Sequence, residues 1–180
     1  MKKIIRVFAL IIAIVCSVSL LAACNSGDDN KDDGKNDGKN DGKNDGAVAY
    51  YVNYNGTKIE LGKKADSVLS ALGTPKAKDS LGDCGGFGLQ TRYTYNDIVV
   101  YTVKNDSGET IDQITFSNDT PETPKGICIG DSSESVISAY GEPTAKNDTK
   151  IEYQKDSLVL KFGIENGEVK SINFIRITSK

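Results

Sequence analysis

Two stretches of this chain are near copies of one another. Leu61 to Pro75 reads LGKKADSVLSALGTP and Ile129 to Pro143 reads IGDSSESVISAYGEP, a shift of sixty-eight residues. At that spacing Gly62 falls on Gly130, Ser67 on Ser135, Val68 on Val136, Ala71 on Ala139, Gly73 on Gly141 and Pro75 on Pro143. A fixed internal period is the mark of one supersecondary unit used more than once. Whatever the first copy folds into, the second is expected to match.

Each copy has the spacing of a short amphipathic helix. Ala65, Val68, Leu69 and Leu72, matched by Ser133, Val136, Ile137 and Tyr140, follow the i, i+3, i+4, i+7 rule for one buried stripe. Gly73 and Gly141 stand where a helix ends, and Pro75 and Pro143 stop its continuation. In the second copy Asp131 at the N-cap with Glu134 three residues later predicts a capping box. Such helices have only two to three turns and need a sheet to lie on.

Strands are expected on both sides. Ile59 with Leu61, and Ile127 with Ile129, alternate as a short leading strand, and AYYVNY joins TKIEL through Asn55-Gly56, a strong hairpin signal. After each helix come three alternating segments: RYTYN, DIVVYTV and TIDQITFSN in the first copy, KIEYQ, SLVLKFGI and EVKSINFIRI in the second. The expected fold is therefore α+β. Two tandem strand-helix-three-strand units, 47–120 and 121–180, each place a short helix on one face of an antiparallel sheet.

The first 46 residues follow different rules. Lys2, Lys3 and Arg6 precede an apolar run, VFALIIAIVCSVSLLA, and then small residues, the pattern of a secretory signal peptide over 1–23. The run ends LAAC, Leu21 to Cys24, and resembles a bacterial lipobox, whose cysteine is acylated and becomes the mature N-terminus. That resemblance implies lipidation at Cys24 and an address on the extracytoplasmic face of the cell membrane. From 25 to 46 the sequence is built on a KNDG period without apolar residues, so it cannot bury enough to order itself. The expectation is a disordered tether with a root-mean-square reach of about 25 Å.

Charge and composition exclude several classes. The net charge is -3 and becomes about -6 once the leader's three cations depart, which argues against nucleic acid as a partner. The chain has no His, which removes Ser-His and Cys-His catalysis and the commonest metal ligand. Asp28, Asn30 and Asp32 begin like a calcium loop, but Asp33 stands where the loop needs its glycine and no Glu closes it. GTKIELGKK, Gly56 to Lys64, has the wrong glycine spacing for a P-loop and reads as a hairpin turn followed by a helix start. GDCGGFG, Gly82 to Gly88, leads into a strand rather than a helix N-terminus and reads as a loop. No metal or cofactor is expected, and no enzymatic activity.

The pattern IELGKKADSVLSALGTP, then Cys and glycines, YTYNDIVVYTV, IDQITFSND and TPKGICIGDSSESVISAYGEP resembles a group of lipoproteins of Gram-positive, clostridia-like bacteria. The repeated hydrophobic-Gly…Val…Gly-x-Pro unit is similar, more loosely, to the tandem repeats of beta-lactamase inhibitory protein and of SmpA/OmlA-type envelope-assembly lipoproteins. That likeness implies helices on one face of an antiparallel sheet. The inhibitors rely on aromatic anchors including tryptophan, and this chain has no Trp, so fold and not target is carried over.

Two cysteines remain besides the acylated one, Cys84 and Cys128. Outside the membrane disulfides persist, so a Cys84–Cys128 bridge is expected, with free thiols as the alternative. Among the aromatics, Tyr93, Tyr95, Tyr101 and Tyr153, with Phe87 on the loop, are the candidate binding surface, placed on the sheet face away from the helices. The functional expectation is a membrane-tethered binding or inhibitor-like module for a protein or envelope component. The alternative is a structural accessory in envelope assembly without a discrete ligand; an exposed aromatic face favours the first and a fully polar face the second.

Overall fold

A computed structural model describes residues 48–83 and 86–178. The expected leader, Cys24, the tether and Cys84 lie outside the described residues.

The chain opens with a hairpin, β1 (Tyr51–Tyr54) and β2 (Thr57–Glu60), with Val52 opposite Ile59. Asn55 and Gly56 carry it with φ of 49° and 76°, the two left-handed residues that a type I′ turn requires. Helix α1 (Ala65–Leu72) follows, and then four strands in a meander: β3 (Ala77–Gly82), β4 (Leu89–Thr94), β5 (Ile98–Asn105) and β6 (Gly108–Phe116). A connection through 117–132 leads to α2 (Ser133–Tyr140) and a second meander, β7 (Ala145–Asn147), β8 (Lys150–Lys155), β9 (Leu158–Glu165) and β10 (Glu168–Arg176). Strands β6 and β10 pair antiparallel, Ile114 opposite Phe174. The result is one eight-stranded sheet in the order β3-β4-β5-β6-β10-β9-β8-β7, with the β1-β2 hairpin as a separate two-stranded sheet.

This corrects the expected α+β fold. Among the described residues the fold is mostly β, 50% strand against 12% helix, and not a repeated strand-helix unit. The leading strand expected over Ile127 to Ile129 is absent: the Ile127 amide donates to Thr123 Oγ1 at 3.1 Å and the Cys128 amide to Asp131 Oδ2 at 2.8 Å. Side chains satisfy donors that a ladder would otherwise have used. Edge strands β3 and β7, AKDSLG and AKN, carry little β-branched or aromatic character and were not expected as strands. They are held by their neighbours β4 and β8, and charged, short edges of this kind resist further pairing.

Both helices lie where their spacing predicts, each closed by a glycine: Gly73 and Gly141, with φ of 74° and 79°. The start of α2 differs. Ser132, not Asp131, is the N-cap, its Oγ accepting from the Ser135 amide at 3.1 Å. Asp131 is left to hold the 128–131 turn instead.

One hydrophobic cluster joins these elements. Ile98 and Val100 of β5, Ile114 and Phe116 of β6, Leu160 and Phe162 of β9, and Ile172 and Phe174 of β10 meet Val52 and Ile59 of the hairpin, Ala65 of α1, and Val136 and Tyr140 of α2. Helices and hairpin therefore cover the same face of the sheet. The other face carries no element of the described chain.

Candidate functional site

Strand register decides which side chains reach the uncovered face. Arg92 of β4, Tyr101 of β5 and Gln113 of β6 stand in one cross-strand row, and Thr115 of β6 pairs with Asn173 of β10. All five are half-buried. Gln113 Nε2 donates to Thr115 Oγ1 at 3.0 Å, and Thr115 Oγ1 donates to Asn173 Oδ1 at 2.9 Å. This chain of hydrogen bonds crosses the seam where the two meanders meet. On the flanks, Arg92 reaches Asp79 at 2.9 Å, while Glu152 accepts from Lys150 at 2.9 Å and stands 3.6 Å from Lys161. The Arg92–Asp79 side chains are 42% and 44% exposed, so this pair fixes geometry more than it contributes stability. Hydrogen bonding to Asp79 raises the Arg92 guanidinium further, so it stays charged.

The expected aromatic surface is corrected by the same register. Tyr93, Tyr95 and Tyr153 are 7%, 7% and 3% exposed and belong to the core under the helices. Tyr93 pairs with Val100, whereas Tyr101 pairs with Arg92, so odd positions on β4 and odd positions on β5 point to opposite faces. Tyr93 donates to Glu109 Oε1 at 3.1 Å and Tyr153 to the Gly141 carbonyl at 2.9 Å. Burial first, then the carboxylate of Glu109, pushes Tyr93 up to about 12; burial, then Tyr140 and Glu142, does the same for Tyr153. Both stay neutral at any physiological pH. Tyr101 alone of the five sits on the uncovered face, and Phe87 is half-buried in the β3–β4 loop.

Sequence reasoning missed Gln113, Thr115 and Asn173. Each lies in an alternating strand, and the polar half of that alternation was the available signal. A second concavity was also missed: a cleft of about 450 Å³ at the hairpin tip, lined by Asn53, Tyr54, Asn55, Asp97 and Thr120 to Pro124. There Tyr54 donates to Asp97 Oδ2 at 2.9 Å and Asn118 Nδ2 to Asp97 Oδ1 at 2.9 Å. Among the described residues no three His, Cys, Asp or Glu side chains gather as a metal site.

Cys128 is 2% exposed, and Gly130, two residues on, donates to the Val169 carbonyl at 2.8 Å, at the start of β10. The expected Cys84–Cys128 bridge falls on Cys84, which lies outside the described residues. Alkylation of the denatured, unreduced chain, read by mass, tests it: a bridge leaves both cysteines unlabelled until reductant is added, and labelling of both without reductant would end that expectation.

Comparison with known proteins finds no matching family model, no matching curated protein and no matching solved structure. Among the described residues no helix is long and apolar enough to cross a membrane.

Proposed function

We propose that this chain is a membrane-tethered, extracytoplasmic binding module that offers the uncovered face of its eight-stranded sheet to a protein or an envelope polymer, without chemistry. The observation that carries this reading is the asymmetry of the sheet. One face packs both helices and the hairpin, and the other is left open, its centre held in a hydrogen-bonded row. Pre-ordered polar groups around an aromatic side chain lose little freedom on binding. Tyr101, between Arg92 and Gln113, is the anchor of that surface.

The polar seam Gln113–Thr115–Asn173 is also the feature that favours the second reading, an accessory of envelope assembly without a discrete ligand. Capture from detergent-solubilised envelope with the mature chain as bait separates the two. A specific partner should be recovered, and Tyr101→Ala should weaken it at least tenfold while the unfolding midpoint moves little. Full retention of binding by Tyr101→Ala and Asn173→Ala would remove this face from the proposal, and turnover of any substrate would remove its non-enzymatic character. Cleavage before Cys24 with acylation there should appear in the mass of the mature N-terminus, where an unmodified cysteine would end the tethered reading.

A further inference from the structure

The two ends of the sheet differ in chemistry. Among the described residues the large apolar side chains that remain exposed are Leu81, Leu89 and Ile177, at 39%, 44% and 48%. All three belong to one end. Leu81 and Leu89 flank the β3–β4 loop, and Ile177 follows β10, its amide donating to the Ser157 carbonyl in the β8–β9 turn at 2.7 Å. Phe87 lies between them in a hollow that runs from Gly86 past Lys104 to Thr178. Single exposed leucines are ordinary on a protein surface, whereas a row along one rim is not.

The chain enters its fold at this same end. Tyr50 and Tyr51 line a hollow with Leu158, the first residue of β9, whose partner across the ladder is Arg176. The hairpin then leads away from this end, and Tyr54 beside its tip bonds Asp97 in the β4–β5 turn. Turns at both ends carry carboxylates, Asp97, Asp119, Glu122 and Glu165 at the far one and Asp83, Asp106 and Asp156 at this one, where Lys104 and Lys155 also stand. What sets this end apart is its exposed apolar side chains together with the point where the chain enters the fold.

We infer that the end bearing Leu81, Leu89 and Ile177 rests on the phospholipid bilayer to which the chain is anchored, standing the sheet upright with its uncovered face accessible from the side. The inference rests on the reading that Cys24 anchors the chain. Residues 25 to 47 are the only span between that anchor and Val48, and they limit the separation to at most about 80 Å. A domain leashed at one end meets the surface at high effective concentration, so contacts too weak to hold a free protein suffice to orient this one. Apolar side chains at the headgroup boundary gain in proportion to the area they remove from water.

Absence of Trp and His from the chain makes the test direct. The chain from residue 24 onward, with a histidine tag ahead of it, is held on phosphatidylglycerol vesicles containing a nickel-chelating lipid and a brominated phospholipid, so that orientation is read whether or not Cys24 is acylated in the cell. Single reporters are Leu89→Trp and Ile177→Trp at the apolar end, Leu81→Trp should either disturb folding, and Thr120→Trp at the far end. Emission from the apolar-end reporters should shift to the blue and be quenched at least twofold by the brominated lipid, while Thr120→Trp stays unquenched. Equal behaviour of all reporters, or stronger quenching of Thr120→Trp, overturns the inference. Failure of acylation is seen separately, in the mass of the N-terminus.

Discussion

Phe174→Ala should lower the stability of the folded chain by about 3–5 kcal/mol, the range for deleting a buried aromatic side chain. Phe174 is fully buried on β10, the strand through which the two meanders join, with Ile114 of β6 on one side and Leu160 of β9 on the other. Its ring centroid lies 6.0 Å from that of Phe116. A void there is walled by side chains from three strands whose backbones are fixed by ladders, so it cannot collapse without moving the sheet. Ile175→Ala, one residue along and on the uncovered half-buried face, should cost clearly less. Urea unfolding followed by far-UV circular dichroism decides this, and because the seam is shared the transition should remain single. A loss below about 1 kcal/mol for Phe174→Ala, or two separated transitions in the native chain, would contradict a common core.

How much of this was written in the sequence depends on the range of the interaction. Helices α1 and α2 were legible because their signals are local: an apolar stripe at helical spacing and a glycine stop in left-handed conformation. The β1–β2 hairpin was legible through Asn55-Gly56 for the same reason. Joining the strands into one sheet was not, since β6 and β10 are paired across nearly sixty residues of chain and neither sequence names its neighbour. The aromatic surface failed on that point. Alternation shows that Tyr93 and Tyr95 share a face and that Tyr101 lies on one face of β5, but only the Tyr93–Val100 register tells that these are opposite faces. The polar seam was invisible for a further reason: Thr115 and Asn173 look like ordinary solvent-facing strand residues until β6 and β10 are side by side.

The same seam holds a buried ion pair, and Arg176→Ala should cost about 3 kcal/mol at pH 7, with the loss shrinking as the pH is lowered toward 4. Arg176 extends from β10 over Gly62 to Thr110 Oγ1 at 3.0 Å and to Asp112 Oδ1 at 3.2 Å. Asp112 is only 8% exposed. Its carboxyl is raised above the ordinary range: burial dominates, and the attraction of Arg176 opposes it without cancelling it. An acid whose pKa is higher folded than unfolded takes up protons on folding. Its contribution is therefore fully favourable below the unfolded pKa and is lost as pH rises through the folded one. Removing Arg176 leaves that carboxylate buried without a cation, raises its pKa further and widens the window over which stability falls. As the pH falls Asp112 takes up its proton, earlier in the variant than in the native chain, so the charge term shrinks and the packing of the arginine stem accounts for more of the difference. The double variant Asp112→Asn, Arg176→Met should recover most of the loss at pH 7, because a buried pair replaced as a unit leaves no orphan charge. Urea midpoints for the native chain, the single variant and the double variant at pH 4 and pH 7 give the answer. A deficit in Arg176→Ala that is the same at both pH values would assign the cost to packing alone and remove Asp112 from the account.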